Sequence, residues 1–159
     1  MVSSPHTGEG EVSVVMSSRS EALLLLPEWA RRLSAHGGVE FNETLHGTWR
    51  KDGEETDRPI RLVLRHHAAS AQRLLESGAM QSHGEVTLDG AMGSVRGTRR
   101  VSWRTGRVDM ELVTDGLRFI GGLHNLMWRG EPYRFRIETS AGAPVGDAIL
   151  RIAPDETEQ

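Results

Sequence analysis

The chain contains no cysteine. That absence removes disulfides, thiolate zinc sites, iron–sulfur clusters and cysteine nucleophiles from consideration. Long apolar runs are missing too. The longest, "ALLLLP" at Ala22–Pro27, falls far short of the roughly 20 residues needed to span a bilayer. The opening "MVSSPHTGEGE" lacks the basic-then-apolar order of a secretory signal, so the expected location is cytoplasmic. No charge of one sign dominates: 19 basic and 22 acidic residues leave a formal charge of −3. That balance gives nucleic acid or an anionic membrane no particular hold. What is present is 159 residues, 37% hydrophobic and 26% charged, the composition of one soluble globular domain able to bury a core.

Residues 1–10 are rich in Ser, Gly, Pro, His and Glu and read as a disordered tail. Residues 11–38 read as an N-terminal strand and helix segment: "EVSVVM" (Glu11–Met16) suits a short strand, and Glu28–Ala35 a helix opened by Pro27 and stopped by Gly37-Gly38. From 39 to 153 the pattern is that of a β domain, with 154–159 as a C-terminal tail. "VEFNETLHGTWR" and "IRLVLRH" alternate apolar and polar residues around the polar turn "KDGEETDRP". "AASAQRLLESG" interrupts them with helix formers and ends on Gly78. "HGEVTLDG", "SVRGTRRVSW", "RVDMELV", "LRFIGGLHNLMW", "YRFRIET" and "VGDAILRI" follow as strands, separated by turn chemistry such as "DG" and "AGAP". About eight short-turned strands predict a mainly β fold. It is an antiparallel β-barrel of lipocalin-like or calycin-like kind, or a strongly curved sandwich, with one or two short helices.

Alternation also places polar groups on apolar faces. In "VEFNETLHGTW", Val39, Phe41, Glu43, Leu45, Gly47 and Trp49 share a face, and Gly47 marks a bend. His66 shares a face with Ile60, Leu62 and Leu64; Arg99 with Val95, Val101 and Trp103; Asn125 with Leu117, Phe119, Leu123 and Met127. A buried ionisable group must be paired, hydrogen-bonded or neutralised. Two readings stand side by side. In one, Glu43 and His66 are an acid–base pair on a cavity wall, where burial raises a carboxylate pKa toward neutrality. Phe41, Trp49, Arg99, Trp103, Phe119, Asn125 and Met127 are then the candidate ligand-binding residues. In the other, Glu43 is structural, pairing with Arg99 or capping a bulge.

Other chemistry finds no motif. His66 and His67 are adjacent on a strand and point to opposite faces, and neither HxH nor HExxH occurs among the seven histidines, so no metal site is expected. "GAMGSVRG" lacks the Gly-Lys-Ser/Thr ending of a phosphate loop and reads as a hairpin turn. There is no GxSxG elbow, and Ser70 and Ser77 lie in the helical stretch. Trp49, Trp103, Trp128 and Tyr133 suit core and rim packing better than a stacking platform. No cofactor is called for.

The order "FNETLHG", "IRLVLRHHAASAQRLLESG", "HGEVTLDG", "VDMELVTDGLRFIGGLHNL" and "WRGEPYRFRIETSAGAPVGDAILRI" resembles a β-rich accessory domain. That domain is attached to some bacterial flavin oxidoreductases of the glucose–methanol–choline type, those related to cholesterol oxidases. Its Phe-x-Glu-x-Met-x-Gly opening is matched by Phe41, Glu43, Leu45 and Gly47, with Leu in place of Met. Its Leu-Leu pair is matched by Leu74-Leu75, and its later strand and turn by Met110, Leu112, Asp115-Gly116 and Gly122; Leu123-His124 replace its Phe-Lys. The resemblance covers roughly residues 39–153. It implies a stand-alone accessory domain and transfers no catalytic residue, because the flavin fold and catalytic histidine of that family belong to another domain.

Three functions are therefore weighed. The first is a barrel binding a hydrophobic small molecule such as a sterol, lipid or polyketide, with the glycines of "FIGGLHNL" making interior room. The second is a cofactor-free isomerase or cyclase with Glu43 as acid or base, His66 as its partner, and Asn125 or Arg99 stabilising an oxyanion. The third is an interaction module that docks on a separate flavoenzyme or forms a homodimer through an apolar patch at Leu23–Leu26 and Trp29. The first is favoured.

Overall fold

The computed structural model describes residues 14–16, 38–128 and 130–153. The tails 1–10 and 154–159, the helix expected at Glu28–Ala35, and the Leu23–Leu26 and Trp29 patch lie outside the described residues. The elements run β1 (Val14–Met16), β2 (Val39–Lys51), β3 (Asp57–Ala68), α1 (Ala71–Ser77), β4 (Ala79–Leu88), β5 (Ala91–Val101), β6 (Val108–Thr114), β7 (Leu117–Leu123), β8 (Tyr133–Thr139) and β9 (Pro144–Ile152). Each strand from β2 to β9 pairs antiparallel with the next, and β9 pairs back onto β2 from Lys51 to Leu45. That last ladder closes the sheet, which decides for a barrel and against the curved sandwich. Where β9 ends, β1 continues the same side of β2 in parallel, pairing Val14 with Val39 and Met16 with Phe41.

Period-two alternation drives this arrangement, because each strand has one face to bury. On β2, Val39, Phe41, Glu43, Leu45 and Trp49 are buried while Glu40, His46 and Arg50 are exposed. Two apolar clusters result. The larger fills the barrel with Leu62, Leu64, Leu112, Phe119, Phe135, Ile137 and Leu150 among others. The smaller, built from Val39, Phe41, Ala68, Ala71, Leu74 and Met80, packs α1 against the barrel end at which β3 leaves and β4 begins.

α1 forms because its ends are satisfied locally. The Ser70 side chain accepts from the Arg73 amide, and Gly78, left-handed at φ 69°, donates from its backbone to Leu74 O at 2.8 Å. Its buried face presents Ala71 and Leu74. The opposite end of the barrel is made of tight turns. One is Asp89-Gly90, both with positive φ, as a two-residue hairpin requires. The turn chemistry in "GAMGSVRG" is thus confined to its first residue and the preceding Asp89, and Ala91–Val101 is strand.

The interior glycines do not create room. A Cβ on Gly121 would lie 1.9 Å from Arg134 O, and one on Gly122 1.8 Å from Val108 O. These glycines let neighbouring backbones approach where a small barrel bends sharply. Gly47 does the same on β2, where a Cβ would sit 1.9 Å from Ile149 O on β9. Gly47→Ala should therefore destabilise by at least the roughly 1–3 kcal/mol typical of overpacking. Gly93→Ala, whose nearest obstruction is the mobile Thr114 hydroxyl at 3.2 Å, should cost much less. Urea denaturation of the two variants checks the contrast; equal losses would contradict the role given to Gly47.

Candidate functional site

Among the described residues, four polar or charged side chains are buried: Glu43 on β2, His66 on β3, Ser82 on β4 and Arg99 on β5. The hydroxyl of the buried Tyr133, on β8, joins them. Ladder register explains the meeting. His66 pairs across with Phe41 and with Ser82, and Glu43 stands two residues along from Phe41 on the same face. His66 Nε2 lies 2.8 Å from Glu43 Oε1, and its Nδ1 lies 2.6 Å from Ser82 Oγ. Tyr133 donates to Glu43 Oε2 at 2.5 Å. Phe41 stacks on the His66 ring at 5.2 Å between centroids.

The chemistry of these groups sets the proton positions. An ionised carboxylate only accepts, so His66 donates from Nε2 to Glu43, and Nδ1 is left to accept from the Ser82 hydroxyl. Burial pushes the Glu43 pKa up, but the hydrogen bond from His66, the charge His66 takes up on acidification, the positive charge of Arg99 and the hydrogen bond from Tyr133 together outweigh it and hold Glu43 below the usual carboxylate range. Glu43 is therefore ionised, the reverse of the rise toward neutrality that burial alone implies. Burial dominates at His66 and holds it below its ordinary value despite Glu43, so the imidazole is neutral. The direct partners of Glu43 are His66 and Tyr133, whereas Arg99 acts on it through charge.

Arg99 is the exception in this satisfied set. It is 1% exposed, yet its Nε and Nη2 have no hydrogen-bond partner among the described residues. Nη1 has only the Met80 sulfur at 4.0 Å, and the guanidinium carbon lies 5.0 Å from the Phe41 ring centroid. Cation–π contact offsets part of the desolvation cost, but a buried cation without hydrogen bonds is expensive.

Arg99 and Met80 are paired across β4 and β5, and both line a groove of about 500 Å³ beside α1. Ala68, Ala69 and Ala79 supply small apolar surface there; His67, Arg73, Gln81, Thr98 and Arg100 supply polar surface; no acidic residue is among the lining. A second groove of similar size lies over Gly121 and Gly122 and mixes Asp109, Glu111 and Glu131 with Arg107 and Arg134, but none of the five interior polar groups lines it.

No protein-family model, curated protein or solved structure matches this chain.

Of the residues singled out by sequence, the structure joins Glu43, His66, Phe41 and Arg99. The others are dispersed. Trp49 is six residues, about 20 Å, along β2 from Glu43. It sits at the turn end, donating to Asp89 at 3.2 Å under the Arg58 guanidinium. Phe119 belongs to the main core. Trp103 lies beyond the end of β5, half-buried, and donates to Leu74 O at 3.0 Å. The strand face expected for Asn125 and Met127 is corrected: β7 stops at Leu123, so neither continues the Phe119 face. The Glu131 carboxylate takes the His124 and Asn125 amides at 2.9 and 3.0 Å, and Asn125 Oδ1 accepts from the Met127 amide. That side-chain turn replaces strand pairing and leaves Met127 exposed.

Ser82 and Tyr133 were missed. β4 begins at Ala79 rather than His83, so Ser82 had no assigned face. Tyr133 did carry a signal, since alternation with Phe135 and Ile137 turns it inward with a hydroxyl that needs a partner. Among the described residues, no group of three or more His, Asp or Glu side chains is placed to hold a metal, and no helix is long and apolar enough to cross a membrane.

Both pKa shifts act on stability with the same sign. Below about pH 6.5 the unfolded chain protonates its histidine while folded His66 stays neutral to lower pH, and below about 4.5 the unfolded chain protonates its glutamate while folded Glu43 stays ionised. This stabilisation is complete above pH 6.5 and is lost progressively on acidification. Calorimetry should show the melting temperature falling as pH drops through these values, with a smaller fall below pH 4.5 in Glu43→Gln. Tyr133→Phe strips one donor from a buried carboxylate and should lose about 1.5–3 kcal/mol at pH 7 by denaturant titration. A loss near zero would contradict the ionised state of Glu43.

Proposed function

We propose that this protein is a small-molecule-binding β-barrel, and that its ligand, a small molecule with an apolar part, is held in the groove beside α1. The observation that carries this reading is the groove itself, which borders the buried face of the barrel. Arg99 and Met80 belong at once to the groove lining and to the buried face of the barrel. A groove of about 500 Å³ falls within the range of ligand sites, and its alanines and methionine offer apolar contact beside a few polar groups. Met80, unbranched and adaptable, can adjust to what it meets.

Binding is favoured over turnover by the placement of the acid–base groups. Glu43, His66 and Ser82 are not among the groove lining, and their hydrogen-bonding capacity is directed at one another and at Tyr133. Such a network supports the wall behind the ligand. By its likeness to an oxidoreductase accessory domain, the barrel would present its ligand to a separate flavoenzyme.

Native mass spectrometry of the protein purified without additives, followed by solvent extraction, tests the reading. One organic adduct per chain is expected in the wild type. Ala79→Trp, which fills the groove from its wall, should abolish it while leaving the circular dichroism unchanged. An adduct that survives Ala79→Trp would place the ligand elsewhere, and an adduct-free wild type that also takes up no added medium-chain lipid would overturn the reading.

A further inference from the structure

We infer that the ligand carries a carboxylate, and that Arg99 receives it side-on through its Nε and Nη2 edge; this rests on the α1 groove being the binding site. Two sides of the guanidinium are accounted for. Its face lies over the Phe41 ring at 5.0 Å, and its Nη1 end meets the Met80 sulfur at 4.0 Å. The two nitrogens without partners among the described residues are Nε and Nη2. They are not an arbitrary pair. Nε–H and the neighbouring Nη2–H point in parallel from one edge of the planar guanidinium, and their spacing matches the two oxygens of a carboxylate. A lysine in the same place would offer a point charge without this fork.

The interior offers no competitor for the edge. Both Glu43 oxygens are already held, one by His66 and one by Tyr133. No acidic residue is among the groove lining either, while Arg73 and Arg100 stand along it with His67. Neither arginine makes an ion pair with a described residue, so the approach to Arg99 favours an anion. A phosphate monoester also fits a guanidinium edge. It would, however, carry further charged oxygens into a recess walled by Phe41 and Met80, where an unpaired oxygen is costly. A planar monoanion is satisfied by the one edge, and a short apolar chain behind it lies along Ala68, Ala69 and Ala79.

Isothermal titration of octanoate, octanol and octyl phosphate into wild type and Arg99→Lys tests the assignment. Octanoate should bind wild type one to one, at least tenfold more tightly than octanol or octyl phosphate. Arg99→Lys should weaken octanoate at least tenfold and leave octanol unchanged. The ¹⁵N resonance of the Arg99 Nε–H in the wild-type protein supplies a readout that needs no variant. It should shift on adding octanoate and stay in place with octanol. Octanoate and octanol binding equally, with the Arg99 signal unmoved, would overturn the carboxylate assignment and leave the groove reading intact. Tighter binding of octyl phosphate would overturn the choice of head group. Failure of all three to bind would remove the groove as the ligand site, and the inference with it.

Discussion

A carboxylate inside an apolar barrel persists only while donors surround it, and Glu43 is where this fold meets that condition. Its two oxygens are reached from opposite parts of the barrel: His66 comes from the adjoining β3, and Tyr133 from β8 beyond the β9 seam. Ser82 on β4 then completes the imidazole. One buried charge thus ties together four strands, the successive β2, β3 and β4 and the distant β8, Glu43 and Tyr133 being 90 residues apart. Removing any donor leaves an ionised group without its compensation, so the network specifies relative strand position more sharply than apolar packing does. The register that buries Leu64 and Leu45 is the same register that brings these polar groups to one level.

The network also organises charge. Glu43 is negative, Arg99 positive and His66 neutral, so the interior is balanced without direct contact between carboxylate and guanidinium. The asymmetry between the two charged groups is the informative feature. Glu43 has its partners within the fold, whereas Arg99 keeps its neutralising charge at a distance and one donor edge unfilled. Among the described residues, the Glu43 carboxylate is thus satisfied within the wall and the Arg99 guanidinium is not.

The barrel's two ends divide this labour. At one, tight turns and Trp49, tethered to Asp89 and covered by Arg58, leave little beyond packing. At the other, a two-turn helix is anchored by Ala71 and Leu74, and the Trp103 indole locks onto the carbonyl of Leu74. The groove of about 500 Å³ lies beside that helix, with Met80 and Arg99 among its lining.

Much of this was legible in the residues, because strand alternation is a local property. A period of two turned Glu43, His66 and Arg99 inward before any partner was known, and Asp-Gly and Ser70…Gly78 marked a hairpin and a capped helix through short-range backbone chemistry. What local pattern could not decide was distance and contact. Asn125 and Met127 kept the phase of Phe119 on paper, but Glu131 intercepts the backbone amides of His124 and Asn125 and ends the strand. Gly121 and Gly122 looked like space, and the approach of neighbouring backbones makes them a bend. Tyr133 looked like packing until closure of the barrel brought it to Glu43. The sequence by itself determined which side chains face the core, since that depends only on parity along a strand. Only the tertiary structure decided which of those buried polar groups find one another and that Arg99 finds no such partner among the described residues, because hydrogen bonds need angstrom-level proximity that ladder register and barrel closure alone create.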